Sequence, residues 1–267
     1  MTRTSKKGFT ILELALAMAF ISFLILLIGV ATAQIAGLYQ RGLVLSQVND
    51  NGRELVDELT RGITASVYED GNISGLEDFY FEYKEKPQLQ SRIEQEVPLY
   101  GAFCTGLYSY IWNTGYALED GVLFEDPMAA TWQSNNEAEP VKNFRLIRVG
   151  DSGRKVCKNY KDETKDGLKI NNLVGGDAAV ELLPESTNNL VLYDLKTFMP
   201  AYDKFSRTAL YSVTFILGTM GGGVDITASG DFCEIGYGGG FITDFTYCAV
   251  NKFNFAARAM GGISYEN

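Results

Sequence analysis

The chain has 267 residues, of which 46% are hydrophobic and 21% charged. That balance supplies enough apolar mass for one large or two modest domains and gives no sign of intrinsic disorder. A net charge of −10 without a long Lys/Arg run argues against a nucleic-acid partner, and the absence of histidine excludes Ser-His-Asp, Cys-His and HExxH chemistry.

The first predicted element is an N-terminal helix. Arg3, Lys6 and Lys7 form a basic stub, and Leu14 to Ala33 follows as 20 residues without a charge. As a helix that run covers about 30 Å, the thickness of a bilayer's hydrocarbon core. The basic stub predicts a cytoplasmic N-terminus and an extracytoplasmic remainder. Glu13 opens the apolar run, where an ionised carboxylate is costly without a partner. Three readings compete. A cleaved secretory signal peptide finds an A-x-A site in Ala31-Thr32-Ala33, but its apolar region would be too long and would contain Glu13. A plain signal anchor explains the span but neither Gly8-Phe9 nor Glu13. The third reading accounts for all three features.

Lys6-Lys7-Gly8-Phe9-Thr10-Ile11-Leu12-Glu13, set against the apolar run, resembles the class III leader of type IV prepilins and type II secretion pseudopilins. The resemblance implies cleavage after Gly8 by a prepilin peptidase, N-methylation of Phe9, and an assembly role for Glu13. Many major pilins carry a proline where this chain reads Ile28-Gly29-Val30, and a glycine where it has Ser22. Those departures are closer to a minor pilin or a J/W-type pseudopilin. The implied partners are other pilin or pseudopilin subunits, the peptidase, an inner-membrane assembly platform and membrane lipid. No cofactor and no enzymatic activity are implied. The implied location is the cell membrane, single-pass with an extracytoplasmic head, and then an extracellular or periplasmic filament. Losing residues 1–8 removes three basic residues and takes the net charge from −10 to −13.

Cleavage would create an ammonium on Phe9, four residues before Glu13. At 4 Å such a pair attracts by ~4 kcal/mol at an effective dielectric near 20. Glu13 is therefore expected to pin the register of an incoming helix against a neighbour. The competing expectation is that it snorkels to the cytoplasmic headgroups.

Beyond the apolar run, Val44, Val48, Leu55, Leu59 and Ile63 recur at helical spacing, with Leu45 and Val56 widening the stripe. Asn49, Asp50, Arg53, Asp57, Glu58 and Arg61 are assigned to the opposite, polar side. The helix is expected to run from Phe9 to about Ser66, roughly 85 Å. Gly29, Gly37, Gly42 and Gly52 mark places where it could bend, each costing about 1 kcal/mol against Ala. The predicted organisation is a leader over 1–8, the helix over 9–66 and one globular head over 67–267.

Gly71 to Pro98 reads as a connection with one short strand at Phe79–Lys84. Strands are then expected at Gly106–Tyr110, Phe144–Val149, Leu190–Phe198, Ala209–Leu217, Phe241–Ala249 and Phe253–Arg258. Tyr211, Val213, Phe215 and Leu217 alternate with polar or smaller residues, as on a sheet with one face on a core. Asp151–Gly153, Asn171–Asp177 and Gly221–Gly223 read as turns. A long helix followed by strands predicts an α+β fold, with an antiparallel sheet packed on the amphipathic half of the helix.

Cys104, Cys157, Cys233 and Cys248 lack CxxC spacing, so a zinc site is not expected. Outside the cytoplasm they would form disulfides, and four cysteines allow three pairings. The favoured one is Cys233–Cys248, the nearest pair in sequence, which leaves Cys104–Cys157. Gly236 to Gly240 is glycine-rich but lacks the Gly-Lys-Ser/Thr of a phosphate loop. Asp162, Glu163, Asp166 and Gly167 lack calcium-loop spacing and read as a solvated turn. Tyr108, Tyr110, Trp112 and Tyr116 form an aromatic cluster, half core by alternation and half candidate binding surface.

Overall fold

The computed structural model describes residues 10–66, 79–85, 96–118, 129–132, 142–160, 179–183, 190–203, 208–219 and 249–260. The fold is α+β: a long, apolar N-terminal helix joined to antiparallel sheets.

Helix α1 runs unbroken over Ile11–Thr64, 54 residues and about 81 Å. Its first half touches nothing in the head among the described residues. Val44 is its first buried residue, followed by Val48, Gly52, Leu55, Leu59, Gly62 and Ile63. The expected apolar stripe therefore faces the core, except that Leu45 is exposed. The helix ends where the Ala65 N–H donates to the Arg61 carbonyl at 2.9 Å and the Ser66 hydroxyl to the Ile63 carbonyl at 2.6 Å.

The head follows as β1 (Tyr80–Glu85), β2 (Val97–Cys104), β3 (Tyr108–Asn113), α2 (Gly115–Leu118), β4 (Thr131–Trp132), β5 (Lys142–Asn143), β6 (Leu146–Gly150), α3 (Lys155–Asn159), β7 (Val180–Glu181), β8 (Leu190–Asp203), β9 (Thr208–Thr219) and β10 (Val250–Ala259). These strands make two main sheets. One has the order β1-β2-β3-β6-β7, the other β10-β9-β8, and β4-β5 form a small ribbon. All named pairs are antiparallel. An isolated parallel bridge, Thr114 to Leu192, connects the two main sheets.

Helix α1 lies on β10 and β9. Val44, Val48, Leu55, Leu59 and Ile63 share one core with Tyr211, Val213, Phe215 and Leu217 of β9 and with Phe103, Tyr110 and Trp112 of the five-stranded sheet. The other face of that sheet builds a second core from Phe81, Tyr100, Ile111, Val149, Val156 and Tyr193. Burial on both faces explains why β2 escapes a reading by alternation. Seven of its eight residues are buried.

Several expectations need correction. The strand expected from Gly106 begins at Tyr108, because Gly106 has φ 99° and turns the β2–β3 hairpin. The region read as a connection up to Pro98 already contains the start of β2. Gly52 is not a bending point. A Cβ there would collide with the Phe253 ring, so the glycine lets helix and β10 approach closely. Gly62 does the same beneath the Tyr110 hydroxyl, whereas Gly29, Gly37 and Gly42 have open space around them. Most of the Phe241–Ala249 strand, the Asn171–Asp177 and Gly221–Gly223 turns, Gly236–Gly240 and the Asp162–Gly167 acidic turn lie outside the described residues.

Candidate functional site

The N-terminus of α1 is the candidate site. Gly8 and Phe9 lie outside the described residues. Thr10 is the N-cap in extended conformation, and Glu13 is the third helical residue. The Glu13 amide donates to Thr10 Oγ1 at 3.3 Å. In return the Thr10 amide and hydroxyl donate to Glu13 Oε2 at 2.9 and 3.0 Å. Two otherwise orphaned donors of the first turn are thereby satisfied. Sequence reasoning gave Glu13 a pairing with the Phe9 ammonium or a place among the headgroups, but not a capping role. The Thr10-x-x-Glu13 spacing is a capping-box signature that was present to be read. From Ile11 to Val30 the side chains stand clear of the head, and the segment is long and apolar enough to cross a membrane.

At the far end of α1, a polar contact fixes the helix to the head. Glu58, assigned by sequence to the solvent side, pairs instead with Arg148 of β6. Its carboxylate also accepts from the Tyr110 hydroxyl at 3.4 Å. Arg148 in turn lies over the Tyr108 ring at 4.9 Å. Burial and the Glu58 charge together push the Tyr110 phenol well above its ordinary value. Where α1 enters the head, the Asn251 side-chain amide donates to Asn49 Oδ1 at 2.6 Å.

The aromatic cluster is mainly interior. Tyr110, Ile111 and Trp112 are all fully buried, because both faces of β3 are covered. Tyr108 alone of the β3 aromatics is partly exposed, and Tyr116 lies in α2. The binding-surface expectation for Tyr110 and Trp112 is overturned.

Cys104 and Cys157 form a disulfide, with Cα atoms 6.2 Å apart, which ties α3 to β2. Cys233 and Cys248 lie outside the described residues. Helix α3 is entered through Arg154 in the left-handed region, φ 59°. Asp151 caps it by accepting from the Lys155 and Val156 amides at 2.8 and 3.1 Å, and also takes the Ser109 hydroxyl at 2.6 Å. The Arg154 guanidinium stacks over Phe79 at 4.3 Å.

A charged seam that sequence reasoning missed lies where the edge strands β1 and β8 of the two sheets meet. The Tyr80 hydroxyl donates to the Leu195 carbonyl at 2.7 Å. Lys84 pairs with Glu82 at 2.7 Å and Lys196 with Asp194 at 2.6 Å. Glu82 Oε1 and Asp194 Oδ1 are buried, and neither has a hydrogen-bond partner among the described residues. Burial raises the Glu82 carboxyl, and the Asp194 charge adds to this against the two lysines. Burial, then the Glu82 and Asp194 charges, raise the Tyr80 phenol as well. Burial opposes the charge on Lys196, but the Asp194 hydrogen bond and the Asp194 and Glu82 charges together outweigh it and leave the ammonium strengthened.

Comparison with family models, with curated proteins and with solved structures finds no match. The arrangement itself, a long apolar N-terminal helix carrying a head of antiparallel sheets, is compatible with a pilin-like architecture.

Proposed function

We propose that this chain is a minor subunit of a type IV pilus or pseudopilus. It would be cut after Gly8, methylated on Phe9 and assembled through its N-terminal helix. The observation that carries the reading is register. Gly8-Phe9 precede, and Glu13 sits in the first turn of, an apolar helix that continues without a break into the core of the head. Such a helix suits extraction from a bilayer into a bundle of neighbours, with the head left outside. Its partners would be other pilin or pseudopilin subunits, the prepilin peptidase and an inner-membrane assembly platform.

Mass spectrometry of the mature N-terminus tests this directly. N-methyl-Phe9 is the expected species, and an intact Met1 or a start at Gln34 overturns the reading. The substitution Glu13→Ala is expected to leave processing and membrane insertion intact while depleting the subunit from sheared filaments.

The capping box favours a second reading, in which Glu13 serves only its own helix and the chain is a signal-anchored binding protein or adhesin that never assembles. Thr10→Ala separates the two. Loss of the cap costs about 1 kcal/mol of helix stability. If capping is the whole role of Glu13, the Thr10 and Glu13 variants behave alike. If the carboxylate meets a neighbouring subunit, Thr10→Ala assembles and Glu13→Ala does not.

A further inference from the structure

Glu13 and Arg41 bracket an uninterrupted stretch of 27 residues, 14–40, that carries no charge. Along a continuous helix the two charged residues stand about 42 Å apart at 1.5 Å per residue. A hydrocarbon core is about 30 Å thick, but a bilayer including its headgroup layers measures about 40–45 Å. A seat that ends at Ala33 would leave Ile35, Leu38 and Tyr39 in water, and these are 65, 71 and 65% exposed. No part of the head among the described residues covers this stretch, since burial begins only at Val44. A Cβ added at Gly37 or Gly42 would likewise meet no described residue within 4 Å.

The geometry points to a lipid-headgroup contact at Tyr39-Gln40-Arg41, with the head seated directly on the membrane rather than held off it by a stalk. The partner is the bilayer leaflet on the head side: Tyr39 lies at the depth where an amphipathic ring is favoured, and Arg41 meets lipid phosphate. The same seat places Glu13 and the Thr10 cap in the opposite headgroup layer, where water reaches them and the carboxylate need not enter hydrocarbon. Val44 follows Arg41 by three residues, about 4.5 Å along the axis. The first packed turn of the head therefore lies against the headgroups, and Asn251 bonded to Asn49 follows about one to two turns further out.

This inference rests on the membrane-anchored part of the proposed function, and one experiment separates the two. The full chain is reconstituted in phosphatidylethanolamine–phosphatidylglycerol vesicles with a spin-labelled residue replacing Tyr39 or, separately, Ser46. Both positions are exposed, so folding is preserved. Flotation with the vesicles tests the anchor, and label accessibility to oxygen and to a nickel chelate reports depth. The seat predicts a label at 39 within about 5 Å of the phosphate layer and a label at 46 on its water side, about 10 Å further along the helix. A chain that fails to float overturns anchor and seat together. In a floating chain, three results overturn the seat alone. They are a label at 39 in bulk water, a label deep in hydrocarbon, and dipolar broadening showing that a second copy covers the helix.

Discussion

At the scale of single residues, the seam between the sheets carries a clear pH signature. Glu82 is buried with one oxygen unpartnered, and its carboxyl is raised in the fold from the ordinary value of 4.5. The folded state therefore holds its proton at pH values where the unfolded chain has released it. That contribution is complete below the ordinary value and is lost as pH rises through the raised one. Glu82→Gln keeps the shape and removes the titration. Urea unfolding from acid to neutral pH should show stability falling across this window in the parent and a flatter profile in the variant. Equal slopes in both proteins would show that Glu82 is not the titrating group. Glu58 and Arg148, each mostly buried and also in contact with Tyr110 or Tyr108, should couple by about 1–2 kcal/mol in a double-mutant cycle, more than an exposed pair provides. The Thr10–Glu13 pairing was legible because both partners are three residues apart. The Glu58–Arg148 and Glu82–Asp194 meetings were not, because each joins strands or helices whose adjacency is decided only by the tertiary fold.

At the scale of elements, legibility follows the number of faces each one buries. Helix α1 announces itself through an apolar run and then a stripe, and β9 through strict alternation on one covered face. Strand β2 is covered on both faces and contains a proline and a glycine, so no period survives in it. Helix α3 is one turn long, entered from a left-handed residue and capped by Asp151, which leaves no periodic trace. Strand β8 outran its expected end at Phe198 because a register shift between Phe198 and Ala201 lets the pairing continue past Met199 and Pro200. The glycines of α1 give a direct comparison. Gly37→Ala adds helix propensity in open space and should stabilise by up to about 1 kcal/mol. Gly52→Ala gains the same propensity but drives its methyl into a ring stacked on Phe215, and overpacking of that kind costs about 1–3 kcal/mol. Thermal unfolding in detergent should therefore shift in opposite directions for the two variants.

At the scale of the whole molecule, the Cys104–Cys157 bond closes a loop with a sequence separation of 53 that contains β3 to β6. In the chain-entropy model such a loop is worth about 4 kcal/mol, so Cys157→Ala should lower the urea midpoint of the oxidised protein and leave the midpoint under reductant little changed. The α+β layout was readable from the order of elements, but the division of the strands into two sheets was not, because sheet membership depends on long-range pairing. The position of β10 has a consequence in time. Asn49 and its partner Asn251 are 202 residues apart, and the strand that covers the helix stripe is the last of the described strands. At ordinary rates of synthesis, roughly 10–40 s separate the emergence of one from the other. Throughout that interval Val48, Leu55 and Leu59 have no native partner in β10. The stripe must be shielded by something else during translation, and β10 can close on the helix only after the roughly 200 residues between them have been made.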